Sequence, residues 1–315
     1  MDAIIPEPYY LSTIWAGSRL SQIRGLHPEP GKPYGIAREV CAYPGAPSNK
    51  IAFGPYAGKT LSELIDEHHD EFMGDDPERQ LIRMAYMDPV EDLSIQVHPD
   101  EAYARRVEDD REKSESWYIL EADPGAYVVA GTTTDDVGVL RAAANRDEID
   151  RYARKVPVSE GDFICISCGT MHACGKHMLA IEVGSFGGIT YRICDYGRGR
   201  ELHIDKAFDV LDCSLRPDPV HLGAFDVQGN GGKSLSRPGV RHQLFASDVI
   251  DVRGSFDVQK GNHYEVVTAV KNGVTVIASG KRYELGYTYS IIIPACIGSY
   301  SIEGSGRVLR SYRPV

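Results

Sequence analysis

Two histidines, a glutamate and a glutamine stand where strand geometry could turn their donor atoms into one cavity. In Leu93-Ser-Ile-Gln-Val-His98-Pro99, Gln96 and His98 are two residues apart, so on a strand both leave the same face. A polar, solvated strand face would show the same spacing. In Lys113-Ser-Glu115-Ser-Trp117-Tyr-Ile119, Glu115 shares a face with Trp117 and Ile119. A carboxylate aligned with apolar neighbours points inward and needs a partner charge or a metal; the plain alternative is a surface Glu beside Lys113. The third segment runs from Gly161 to His172 with the spacing Gly-x5-Ser-x-Gly-x2-His. Gly169 permits the sharp turn that aims His172 back at the strands, although a lone His also serves purely structural ends. Taken jointly, Gln96, His98, Glu115 and His172 form a mixed nitrogen and oxygen set that suits zinc and leaves positions for water or substrate.

Other residues compete for attention. Cys165 and Cys168 have CxxC spacing, with Cys174 close by. Residues three apart on a strand face opposite sides, so a shared metal there would need a knuckle turn, and no second CxxC exists. Arg192 is a permanent, fork-shaped cation able to hold two oxygens, or to pair with Asp195. Lys113 could donate to a ligand or stand solvated. Arg83, Arg198 and Arg200 are the cations available for an anionic ligand. No glycine-rich nucleotide loop is present.

The elements that must position these groups read as follows. Residues 1–50 are rich in Pro and Gly and predict an irregular lead-in. Thr60 and Glu63 make a capping box for a helix whose apolar face is Leu61, Leu64 and Ile65. Strand patterns follow at Leu81–Tyr86, Leu93–His98, Ser116–Leu120 and Ala126–Ala130. A helix is predicted over 146–155, with Asn145 as its cap. Strands return at Asp162–Cys168, Met178–Val183 and Thr190–Tyr196, and 204–212 is a short helix. The stretch 216–240 reads as a linker rich in Pro and Gly-Gly, and beyond it to 315 nearly everything is short strand. Gly161–His172 can be laid over Thr288–Ser299: each has a turn, an apolar strand and a small-residue corner, but the second ends without a His. The expected fold is mainly β: two cupin-type jelly-roll barrels with a few inserted helices. Residues 1–215 make the metal-binding unit and 241–315 a degenerate one without ligands.

Composition narrows the partners. The 315 residues carry a net charge of -11. That excess of acid disfavours nucleic acid, and any anionic ligand must be met locally by a few Lys or Arg. Neither a secretory signal nor a membrane-length apolar run is present. Seven Cys without framework spacing predict free thiols and a cytoplasmic location.

Leu93–Asp100 (LSIQVHPD), Lys113–Leu120 (KSESWYIL), Gly161–His172 (GDFICISCGTMH) and Thr190–Arg198 (TYRICDYGR) together resemble the type I mannose-6-phosphate isomerases of the short bacterial kind. Gly54–Leu61 and the segment from Ile292 are similar to that family too, so the resemblance spans most of the chain in order. It implies zinc, one ion per chain, on His98, Glu115 and His172, with Gln96 a possible fourth ligand. It places the catalytic arginine at Arg192 and the active-site lysine at Lys113; Arg83, Asp195 and Arg198 are candidates for substrate on their charge and position alone. The implied reaction interconverts mannose 6-phosphate and fructose 6-phosphate in a monomer or homodimer. Trp15-Ala16-Gly17, Gly35–Glu39 and Glu78–Arg83 depart from the family pattern. They leave open an isomerase or epimerase of another or unphosphorylated sugar, or a sugar-binding cupin without catalysis.

Overall fold

A computed structural model of the chain describes residues 1–43 and 46–314. The chain folds as two compact units, each discontinuous in sequence: Met1–Leu11, Ala37–Tyr86 and Leu222–Val315 form one, Ser12–Ile36 and Met87–His221 the other. The division therefore differs from a single cut near 215. Strand pairing is the reason: Pro6–Glu7 pairs antiparallel with Lys50–Ile51, Ile4 bridges Ile292, and Gly74 bridges His263. Early segments are thus bridged to late ones within one unit. The predicted irregular lead-in is also corrected, because 1–50 contains the helix Arg19–Arg24 and the strand Tyr34–Val40.

The unit holding the candidate ligands is a β-sandwich. One sheet has five strands in the order Tyr191–Cys194, Ile95–Val97, His172–Cys174, Tyr127–Thr132, Ala153–Pro157. Facing it, Glu115–Ala122 lies between Asp162–Ile166 and Met178–Gly184, all antiparallel. Trp117, Ile119, Ile164 and Ile166 from this second sheet meet Val128, Ala130 and Cys174 from the first in one buried core. Period-two alternation built both inner faces. The helix predicted over 146–155 does not form. Instead Val137–Ala144 is helical, capped by the Asp136 side chain, and Asn145 ends that helix rather than starting one. Ile149–Tyr152 is a single 3-10 turn leading into a strand. Neither Asn145 nor Glu148 caps through its side chain as expected, and the sheet takes 153–157.

The other unit is dominated by a seven-stranded antiparallel sheet built on two long strands, Ala246–Gln259 and Ser299–Tyr312. They pair along their full lengths, and Gly254 opposite Gly304, both at positive φ, lets one strand continue where two were expected. The stretch 216–240, expected as linker, is partly structured: Leu235–Arg241 is the edge strand of this sheet. Pro238 is tolerated there because an edge strand can spare a donor, and the register slips beside it. The capping box forms as read: Thr60 Oγ1 accepts from the Glu63 amide at 3.2 Å, and Glu63 accepts from the Thr60 amide at 2.7 Å.

Candidate metal centre

The two sheets of the second unit deliver His98, Glu115 and His172 to one point. His172 begins a strand of the five-stranded sheet, His98 follows Ile95–Val97 in the same sheet, and Glu115 opens the central strand opposite. Gly169, at φ 83°, makes the turn before His172, and a Cβ there would approach the Val210 carbonyl to 3.2 Å. All three side chains are about 1% exposed, and their donor atoms lie within 4.8 Å of one another.

The orientation of both imidazoles is fixed from behind. His98 Nδ1 lies 2.7 Å from the Ile189 carbonyl, and His172 Nδ1 lies 2.8 Å from the Thr170 carbonyl. A carbonyl can only accept, so each Nδ1 carries the proton and each Nε2 presents a bare lone pair. Those two Nε2 atoms are 3.1 Å apart, and each is 3.4 Å from a Glu115 oxygen. Lone pairs and a carboxylate facing one another repel unless a cation joins them; the Lys113 ammonium is one such cation here, and the two imidazole nitrogens with a carboxylate are also a donor set that fits a divalent metal. Burial and the Lys113 ammonium push the His98 imidazole down to about 3, and burial also lowers His172. Burial alone would raise Glu115, but Lys113 and the imidazoles hold it well below the usual carboxylate range. All three groups are thus in the protonation states a metal requires.

Lys113 is buried. Its ammonium donates to His98 Nε2 at 2.9 Å and to Glu115 Oε2. Gln96 is half-buried with its amide Nε2 3.3 Å from His172 Nε2, and Ser94 donates to its carbonyl oxygen at 3.3 Å. Register extends the row: His172 is opposite Gln96, and Gln96 is opposite Arg192. Directly opposed residues share a face, so Arg192 stands on the same face as the ligands, two strands from His172. Its Nη1 donates to the Glu201 carbonyl at 2.8 Å, and its buried Nε has no partner. Asp195 does not pair with Arg192. Arg200 clasps that carboxylate through Nε and Nη2, and Arg198 adds an Nη2 contact at 3.1 Å. Arg83 lies in the other unit, buried, with its guanidinium 4.8 Å from the Tyr43 ring centre.

Several contributors escaped sequence reasoning. The Ile189 and Thr170 carbonyls carry no side-chain signal at all. Glu112, buried beside Lys113, accepts from the Ser114 hydroxyl at 2.9 Å and from the Cys168 thiol at 3.2 Å. Burial and that carboxylate push the Cys168 thiol up to about 12, and burial takes Cys165 to about 11. All seven cysteines are free, and neither thiol of the CxxC pair is a thiolate ready for metal.

Comparison with known proteins agrees with this geometry. Residues 240–313 match the family model for the cupin domain of mannose-6-phosphate isomerase. The mannose-6-phosphate isomerase of Streptococcus mutans is 29% identical, over 97% of this chain and 98% of its own. The crystal structure of the Bacillus subtilis mannose 6-phosphate isomerase superposes with a TM-score of 0.86 at 26% identity, covering 99% of this chain and 100% of that one. A mannose 6-phosphate isomerase solved with zinc and yttrium shares the fold at a TM-score of 0.75 and 14% identity, with both chains fully covered.

Proposed function

We infer that this chain, a member of the mannose-6-phosphate isomerase family, interconverts mannose 6-phosphate and fructose 6-phosphate, with one zinc ion held by His98, Glu115 and His172. The observation that carries the reading is the convergence of three buried donors within 4.8 Å, with Lys113 against them and Arg192 on the same face. Rotating the Gln96 amide by half a turn would offer Oε1 beside His172, so Gln96 serves as a fourth ligand.

The reaction moves a proton between two adjacent carbons while the carbonyl changes place. A bound zinc ion supplies Lewis acidity to sugar oxygens. The chain's own residues do the rest. Lys113 fixes a positive charge where negative charge develops on oxygen, and burial strengthens its effect. Arg192, with Nε unpartnered, is positioned to hold the sugar oxygens in the geometry of transfer. Asp195 acts through Arg198 and Arg200, orienting guanidiniums rather than touching sugar. Arg83 is packed within the other unit and carries the least support as a substrate contact. Among the described residues no helix is long and apolar enough to cross a membrane.

The deciding experiment is solvent-deuterium incorporation at C2 of mannose 6-phosphate, beside mannose without the phosphate. Label entering only the phosphorylated sugar supports the reading. Label entering only free mannose would favour an isomerase of unphosphorylated sugar, and none in either would leave a binding protein.

A further inference from the structure

Arg192 stands on an edge strand. Tyr191–Cys194 is the outermost of its five strands, with Ile95–Val97 on one side and, among the described residues, no strand on the other. An edge residue whose N–H and C=O turn outward leaves both without a ladder partner. Here one residue takes both. The Arg192 N–H donates to His203 Nδ1 at 3.2 Å, and the His203 N–H donates to the Arg192 carbonyl at 2.8 Å. His203 thus pairs with Arg192 as a residue of a further strand would, with an imidazole nitrogen in the place of a carbonyl. Only a bare lone pair can accept, so the ring proton belongs on Nε2, which lies 3.9 Å from a Glu201 carboxylate oxygen. This is the opposite tautomer to that of His98 and His172, whose Nδ1 atoms face carbonyls.

The inner side of the strand is irregular at the same point. Its pairing with Ile95–Val97 slips between Arg192 and Cys194, and such a slip bends a strand and re-aims the side chains beside it. The Arg192 side chain is tied through Nη1 to the Glu201 carbonyl, two residues before His203. Residues 201 and 203 therefore grip Arg192 at its guanidinium and at both backbone polar groups. His203 is itself held in place. It precedes the helix Ile204–Val210, and its carbonyl accepts the Ala207 amide at 2.8 Å. Its ring tilts against Tyr191, with centres 6.1 Å apart, and the Tyr191 hydroxyl donates to Glu108 at 2.7 Å.

We propose that His203 is a positioning residue for Arg192, its Nδ1 lone pair fixing the backbone from which the guanidinium reaches the sugar oxygens. This rests on the reading of Arg192 as the arginine of a sugar-phosphate isomerase. Displacing a charged group by a fraction of its own length weakens its hold on developing charge, so an acceptor behind the backbone acts on turnover without touching sugar or metal.

The test compares the zinc-loaded wild type with His203→Asn and His203→Phe. Asn keeps an acceptor oxygen near the place of Nδ1, whereas Phe keeps a ring against Tyr191 and removes the acceptor. Expected is a kcat for mannose 6-phosphate about 10-fold lower in H203F with KM within about 2-fold, and H203N within about 3-fold of wild type, metal content being unchanged in both. In an Arg192→Ala background H203F should cost nothing further, because the two substitutions remove one contact. An active H203F beside an impaired H203N would make His203 a packing residue and overturn the proposal. Equal losses in both variants, no loss in either, or full additivity with R192A would overturn it too. If H203F folds poorly, nitrogen NMR shifts of the wild-type imidazole decide: a bare Nδ1 with a protonated Nε2 sustains the assignment, and the other tautomer ends it. If the wild type fails to turn over mannose 6-phosphate, or R192A keeps full activity, the functional reading fails instead. Solvent exchange of the Arg192 amide then judges the clamp separately: about 10-fold faster in H203F and unchanged in H203N upholds it, and equal rates in all three end it.

Discussion

Each unit buries a glutamate among basic groups inside a β-framework, and the two are held in different ways. Glu115 faces two imidazole Nε2 atoms at 3.4 Å and a lysine that also reaches His98 Nε2. Glu265, fully buried in the other unit, accepts from the Tyr300 hydroxyl at 2.8 Å and from both Nε and Nη2 of Arg310, with His263 Nε2 at 3.3 Å. A guanidinium fork satisfies a carboxylate permanently, so Glu265 has no further chemistry to offer. Histidines locked from behind by carbonyls leave their lone pairs for an exchangeable cation. The same residue type is structural in one unit and metal-ready in the other, because of what stands opposite it.

The largest effect that could break this comparison is on His98. His98→Ala should abolish bound metal and lower turnover by at least about 10³-fold, read by metal analysis and by the isomerase assay, since Glu115 and His172 alone leave the ion too few ligands. A variant that kept full metal would show that the imidazoles do not form the site. Arg192→Ala should lower kcat by about 10²-fold with metal content unchanged, the size of one lost charge-stabilising contact. Full activity there would remove Arg192 from the machinery.

The next effect concerns stability alone. Glu265→Gln should leave metal content at the wild-type level and cost about 3 kcal/mol of unfolding free energy, as expected when a buried pair loses one charge. Its pH dependence carries a sign. Burial would raise the Glu265 carboxyl, but His263, Arg310 and Tyr300 hold it down at about 2. Between the ordinary 4.5 and about 2 the unfolded chain binds the extra proton, so this contribution is present above 4.5 and is lost as pH falls through that window. Acid titration of stability should show the loss in the wild type and a flatter curve in E265Q. The smallest effect should be Cys168→Ser. A thiol pushed up to about 12 is neither nucleophile nor ligand, and a hydroxyl can still donate to Glu112, so metal and turnover should change by less than about 2-fold. A tenfold loss of metal would revive the thiolate reading.

Much of the ligand set was legible because strands have period two. Gln96 and His98 share a face, and Glu115 lines up with Trp117, whatever the rest of the chain does. Gly169 before His172 signalled the turn. The helix read over 146–155 failed for a complementary reason: its caps were local, and a strand at Ala153–Pro157 gains pairing partners only in the folded sheet. Asp195 was open to Arg192 in sequence, and Arg198 and Arg200 claimed it, since the turn after Asp195 returns the arginines three and five residues on to its carboxylate.

Residue type and alternation, which are properties of the chain, determined that this protein is mainly β and that two histidines and a glutamate could turn to one cavity. Only the tertiary structure decided that the protons sit on Nδ1, that the two Nε2 atoms meet 3.1 Å apart, and that segments before residue 86 share a compact unit with those after 222. The physical reason is range. Side-chain alternation acts between neighbours along one strand. A carbonyl behind an imidazole, or an arginine on a carboxylate, belongs to residues up to 91 positions away and is fixed only once the sheets have closed.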